Sequence, residues 1–328
     1  MKYLSAICIF AAICLGGNVA VRAQGDSDPG FSTIGAMRSM PDLMIADDEF
    51  EVQRMHIGVG NTFTKGDQDT KIYIPALEIR VPWQDYGYFD LQLPYYVAVG
   101  DIASVSGIGD LSFAYTHEIR PEYFPDWSYQ ITGGFKIGMG TADLQDTKTR
   151  SLPMVYQSNS GTTDFIIGGH IKYKQYFVVS AAYQQPFVYY NENGYNRLAL
   201  ENDFVYNNPA YPMARKLRRY GDVMVRAEGI LTGKRAGVSA GPLAFYHLHD
   251  DMYTDRQNRE IQINGSAGFT LNAFASAFVR MGRKAEWKLD VTASAPLIQR
   301  DAIPDGLRRD WVVTPRITYF FGQRTLLW

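Results

Sequence analysis

Cysteine occurs only twice in the 328 residues, as Cys8 and Cys14. Both fall in an N-terminus that reads as an export address. Lys2 supplies a positive start, residues 3–17 form an apolar stretch too short to span a bilayer comfortably, and Val21-Arg22-Ala23 offers small residues at the usual cleavage spacing. Residues 1–23 are therefore expected to be a cleaved signal peptide. A lipid anchor on Cys14 is disfavoured, because Ile13 stands where a small residue is needed. The mature chain has no thiol, which excludes disulfides, zinc–cysteine centres and cysteine catalysis.

An excess of one charge sign is also missing. Losing Lys2 and Arg22 leaves 30 basic residues against 34 acidic ones, a net charge of −4. A nucleic-acid binder would carry a strongly basic footprint, so none is expected. Beyond the leader there is no run of 18 apolar residues, which excludes membrane-spanning helices. P-loop, nucleophile-elbow and dinucleotide fingerprints are absent as well.

The chain is nevertheless 46% hydrophobic, with 22 Tyr and 30 Gly, and its mean hydropathy is only −0.20. Lipid-facing and water-facing residues in alternation would average to this value, and tyrosine-rich girdles would add the aromatics. From Trp127 to Met139 the odd positions (Trp127, Tyr129, Ile131, Phe135, Ile137) are apolar, while Ser128, Gln130, Thr132 and Lys136 are polar. The same split holds around Phe89–Val99, 110–118, 164–173, 286–297 and 311–321. Noisier strands start near Arg54, Lys71, Tyr176, Asp222, Gly237 and Ile261, and 261–280 reads as one long strand or two short ones around Asn272.

The connections alternate in length. Short links fall near 84–87, 120–126, 174–175, 232–235 and 281–285; longer polar stretches fall at 64–70, 100–107, 140–161, 191–220, 250–260 and 299–309. Short periplasmic turns and long external loops are the habit of outer-membrane barrels. The expected fold is all-β: a transmembrane antiparallel up-and-down barrel of about twelve strands in the bacterial outer membrane. It should occupy residues 49–322, with 323–328 as a tail. Residues 24–48 read as a periplasmic arm, slightly favoured, or as a plug. Pro75, Pro94, Pro186, Pro242, Pro296 and Pro315 fall inside strands and call for bulges near the rims.

Several phrases resemble the Gram-negative outer-membrane barrels of the phenol-degradation-pathway (MetA) and putative-transporter family. These are Leu93-Pro94-Tyr95, Gly107-Ile108-Gly109-Asp110-Leu111, Ser160-Gly161 with Asp164, and a closing hairpin ending in Phe320-Phe321. The resemblance covers the chain from about Ile72 onward and implies passage of a small solute, hydrophobic or not, without catalysis.

The inward parity selects Arg54, His56, Glu78, Arg80, Asp90, Asp110, Glu118, Arg120, Lys136, Asp164, His170, Lys172, Asp222, Arg226, Glu228, Lys288, Asp290 and Arg316. Such a set either lines a charged pathway or fills a plugged interior by pairing with itself. Two other classes compete with a channel. A lipase-like barrel would need Ser and His at the lipid-facing rim, and His117 has no serine within two residues. A protease-like barrel would need acids and His at the outer rim, where His247-Leu248-His249-Asp250-Asp251 has those types. His247 and His249 also share a strand face at a spacing a metal could use. The plainer reading is a charged strand end running into a solvated loop, and no cofactor or metal is expected. A surface-binding barrel is the third class: residues 191–220 form a Tyr- and Asn-rich loop long enough to be an external lid or a binding loop, and Arg215 to Tyr220 could meet lipopolysaccharide phosphates. Membrane lipid and lipopolysaccharide are the expected partners.

Overall fold

In the computed structural model, Ile34, Met37, Arg38 and residues 55–321 are described, except 85, 125, 189, 200–205, 234 and 284. The signal peptide, Arg54 and the tail 323–328 lie outside the described residues. No helix among the described residues is long and apolar enough to cross a membrane.

The period-two segments form strands β1 (His56–Lys65), β2 (Lys71–Trp83), β3 (Gly87–Val99), β4 (Ser104–Ile108), β5 (Asp110–Ile119), β6 (Trp127–Gly138), β7 (Thr163–Tyr173) and β8 (Phe177–Pro186). They continue as β9 (Asp222–Thr232), β10 (Ala236–His247), β11 (Met252–Thr254), β12 (Glu260–Gln262), β13 (Gly268–Met281), β14 (Trp287–Ile298) and β15 (Val312–Phe320). β4 and β5 are two parts of one wall strand. Val99 to Tyr95 of β3 pair with β4, Gln92 to Gly87 pair with β5, and Gly109 donates its N–H to the Pro94 carbonyl at the break. β11 and β12 make a small hairpin of their own in a loop. Twelve staves remain, each antiparallel to its sequence neighbour, and β15 closes on β1 from His56↔Phe320 to Thr64↔Val312. Closure leaves no sheet edge in hydrocarbon.

The burial pattern follows parity. In β6 Ile131 is 54% exposed while Thr132 is fully buried. The outward set is apolar because lipid surrounds it. Trp83, Tyr86, Trp127, Tyr176 and Trp287 mark the short-turn end, and Phe187, Tyr246, Phe269 and Trp311 the long-loop end, as two aromatic girdles. Cross-strand pairs such as Trp127–Tyr173 and Trp287–Tyr319, with ring centroids 4.9 and 4.8 Å apart, reinforce the first girdle.

Three expectations need correction. The stretch 261–280 divides between two structures: Ile261 belongs to the loop hairpin, and one continuous strand runs from Gly268 to Met281. At Leu271/Asn272 the register shifts, Leu271 facing Ile298 and Asn272 facing Pro296, so the extra residue is Leu297 of β14 and β13 runs through Asn272 unsplit. The prolines are not handled by rim bulges alone. Pairing lapses mid-strand between β2 and β3 beside Pro75, between β9 and β10 beside Pro242, and between β15 and β1 beside Pro315. At the second lapse Gly241 is required, since a Cβ there would stand 1.9 Å from the Ala227 carbonyl oxygen. Finally, the long loops are not simply solvated. Leu152, Val155 and Tyr156 of one loop and Tyr195, Tyr211 and Leu217 of another bury themselves against Ile72, Ile74, Tyr96 and Ala98 of the wall. They fold inward over the outer mouth.

Candidate functional site

The inward side chains pair systematically. At the level nearer the short turns, Arg80 grips Asp90 with Nε–Oδ1 at 2.6 Å and Nη2–Oδ2 at 2.9 Å, and its guanidinium lies 4.0 Å from the Tyr88 ring centroid. Tyr88 donates its hydroxyl to Gln130 at 2.9 Å, and Arg120 reaches Glu118 at 2.6 Å. Around the adjoining wall Lys288 lies 3.2 Å from Asp290, Asp290 accepts from Arg316, and Arg316 donates onward to Glu78 at 3.0 Å. Arg226 and Glu228 pair at 3.7 Å. His56 and His170 are buried in the same face, and Lys172 is half-buried.

Nearer the outer mouth Lys136 sits between Asp110 at 3.6 Å and Asp164 at 3.4 Å. Arg219, from the loop before β9, joins them: it is 3.5 Å from Asp164, 3.7 Å from Asp305 and 3.9 Å from Asp222. Arg300 also reaches Asp305, at 3.4 Å. Burial pushes the Asp305 carboxyl up, but the Arg300 and Arg219 guanidiniums outweigh it and hold it below the ordinary carboxylate range.

Period-two reasoning missed Arg219, Arg300, Asp305 and Arg309 because they belong to connections with no period. It also missed Arg280, which lies on the inward face of β13. There Phe274 and Phe278 also point inward, so the polar–apolar split that marks other strands is lost. The reason lies in the lumen itself. Ala114, Ile166, Ala182, Met224, Leu243 and Phe274 form an apolar patch inside the barrel, and Ile34 and Met37 pack into it. Arg38, from the same segment before β1, forms an ion pair with Glu78.

The two histidines singled out from the sequence as candidates for enzyme chemistry sit in different settings. His117 faces outward, and Tyr115 Oη, 3.4 Å from its Nδ1, is its hydrogen-bonding neighbour. His247 was expected at a solvated strand end; instead it is 2% exposed and held between carboxylates. Its Nδ1 lies 2.7 Å from Asp222 and its Nε2 2.9 Å from Asp251, so both nitrogens are committed. His249 turns instead to the Tyr220 ring. The basic run 215–220 is likewise mostly engaged within the chain. Arg215 donates to the Asp255 carbonyl, Arg218 reaches Glu260 at 3.5 Å, and Arg219 is buried in the lumen, whereas Lys216 is exposed.

A closed antiparallel wall, an apolar band with two aromatic girdles outside and a polar interior together define a transmembrane β-barrel of the bacterial outer-membrane type. No family model and no curated protein matches the sequence. Among solved structures the chain is similar to the COG4313 outer membrane channel from Pseudomonas putida F1, with TM-score 0.54 and 13% identity over 85% of this chain and 99% of that one. The NanC porin aligns with TM-score 0.45 and 8% identity over 81% and 99% of the two chains. A Pseudomonas aeruginosa FadL homologue aligns with TM-score 0.38 and 13% identity over 93% and 100%.

Proposed function

We propose that the chain is a non-catalytic channel that lets a small solute cross the outer membrane through a narrow, largely occupied lumen. The observation that carries this reading is the seating of Ile34, Met37 and Arg38 among inward side chains of the wall. It favours a plug over a periplasmic arm for residues 24–48, contrary to the slight preference drawn from sequence. The paired charges supply a polar lining whose acids and bases neutralise one another while nothing passes. The fold likeness to an outer-membrane channel is in keeping with this reading, as are the phrases resembling the phenol-degradation-pathway family. Membrane lipid would surround the wall, with lipopolysaccharide at the outer rim near Lys216.

Planar-bilayer conductance tests it. The mature chain should give small ionic steps, and deletion of residues 24–48 should enlarge them. Lys136→Glu or Arg316→Glu should move the preference toward cations, because a charge lining a narrow low-dielectric pore acts strongly on passing ions. Equal steps with and without the segment would sink the plug. Hydrolysis of phospholipid or peptide, abolished by changing His117 or His247 respectively, would replace the channel with an enzyme.

A further inference from the structure

The outer end of the lumen contains a cleft of about 570 Å³ of empty space, counting the solvent it opens to. It lies between the loop 140–161, the last external loop and the wall. Its apolar lining comprises Ile74, Pro94, Tyr96, Met154 and Leu307. Lys136, Arg219 and Arg309 stand among the other lining residues, together with the carboxylates Asp110 and Asp305.

The three cations differ in how they are balanced. Lys136 has two carboxylates beside it, at 3.6 and 3.4 Å. Arg219 has three within 4 Å, at 3.5, 3.7 and 3.9 Å. Arg309 is only 2% exposed, yet among the described residues no carboxylate forms an ion pair with it. Its Nη1 donates to the carbonyls of Gly306 and Arg308, and its buried Nε has no acceptor at all. The nearby buried carboxylate, Asp67, forms its ion pair with Arg308 instead, at 3.9 Å.

Asp67 is near enough for its field to be felt but lies beyond ion-pair distance, so the buried Arg309 guanidinium, with its Nε unaccepted, is only partly compensated, and a planar guanidinium suits a carboxylate. The apolar lining adds a place for a body that water solvates poorly. We propose that this cleft binds a small organic monocarboxylate, with the carboxylate on Arg309 and a compact apolar body against Tyr96, Met154 and Leu307. The assignment deepens the channel reading by naming the class of solute met at the outer mouth. The binding itself is measurable whether or not anything is conducted.

Calorimetric titration of the full mature barrel in detergent micelles tests the proposal, with benzoate as the probe and benzamide and inorganic phosphate as comparisons. Folding of each variant is verified by heat-modifiable mobility. Benzoate should bind saturably, with benzamide and phosphate each weaker by about tenfold or more. Arg309→Gln should weaken benzoate by about tenfold or more, and Arg309→Lys should retain part of the affinity. Leu307→Trp, which adds bulk at the apolar lining and leaves every charge in place, should also weaken it. Absence of benzoate binding, equal binding of benzamide, or an Arg309→Gln barrel that binds as the parent does would each overturn the site. Phosphate binding as tight as benzoate would overturn the apolar subsite and reduce the cleft to an adventitious anion contact. Saturable benzoate binding by a barrel that conducts nothing would uphold the site and sink the channel.

Discussion

Asp290 and Arg316 stand directly opposite each other on β14 and β15, facing the lumen, with the Arg316 Nε 3.1 and 3.0 Å from the two Asp290 oxygens. The pair is not isolated: Lys288 flanks the aspartate, and Glu78 flanks the arginine and carries Arg38 in turn. Removing one member therefore leaves buried charge behind. Arg316→Ala should destabilise the barrel by about 3 kcal/mol, the low end of the usual cost of breaking a buried pair, since Lys288 and Arg38 remain. Arg316→Met combined with Asp290→Leu should cost clearly less. Urea unfolding in lipid vesicles measures both. If the single and double variants lose the same stability, the pairing carries no weight.

The lipid face offers a second test. Ile167 lies midway along β7 and is 45% exposed to the surroundings. Arginine there should cost about 2–4 kcal/mol, as a charge near the bilayer midplane does. Thr292 sits midway along β14 on the lumen side and is only half-buried, sharing a 3.0 Å hydrogen bond with Ser276. Thr292→Lys should cost much less than Ile167→Arg in the same unfolding experiment. A reversed order would mean that inside and outside are exchanged.

The third concerns pH. Asp67 lies in the turn between β1 and β2, and burial pushes its carboxyl up to about 7 from an ordinary 3.8, with Arg308 and Arg309 pulling the other way. Between those values the folded state binds the proton that the unfolded chain has already released. Stability should therefore fall as pH rises through this window. Asp67→Asn should remove the slope, leaving the variant more stable than the parent at pH 8 by up to about 4 kcal/mol, less whatever local relaxation recovers. The two proteins should converge near pH 4. Parallel stability–pH curves for parent and variant would refute the burial of this carboxyl.

The strands that read clearly from sequence are those with lipid on one side and charge on the other, β6 above all. The alternation fades where the lumen is filled. β13 turns Phe274 inward where Ile34 and Met37 bring apolar surface to that level, and Phe278 inward beneath the Lys288 ammonium. A rule that equates inward with polar must fail on such a strand. Loop chemistry was harder still. His247 reads as a solvated rim residue until the loops are seen folded over the mouth, where Asp222 and Asp251 enclose it. Arg219 and Asp305 meet inside the lumen although the four staves β9, β10, β13 and β14 separate them in sequence, and no local pattern announces such a meeting.

Eleven of the twelve contacts between neighbouring staves join segments that follow one another in sequence; β1 against β15 does not. This junction is also where Pro315 interrupts the pairing, and a hydrogen bond between the Thr62 and Thr314 hydroxyls at 2.9 Å spans the lapse. The wall is in effect a hoop with one unwelded joint. If that joint parted, two rows of amide and carbonyl groups would meet hydrocarbon at once, with no water to receive them. The cost therefore rises with every rung that parts, and nothing in the hydrocarbon offsets it. The molecule should hold as a complete ring or come apart as a whole, and its first strand must stay unsatisfied on one side until the last has arrived.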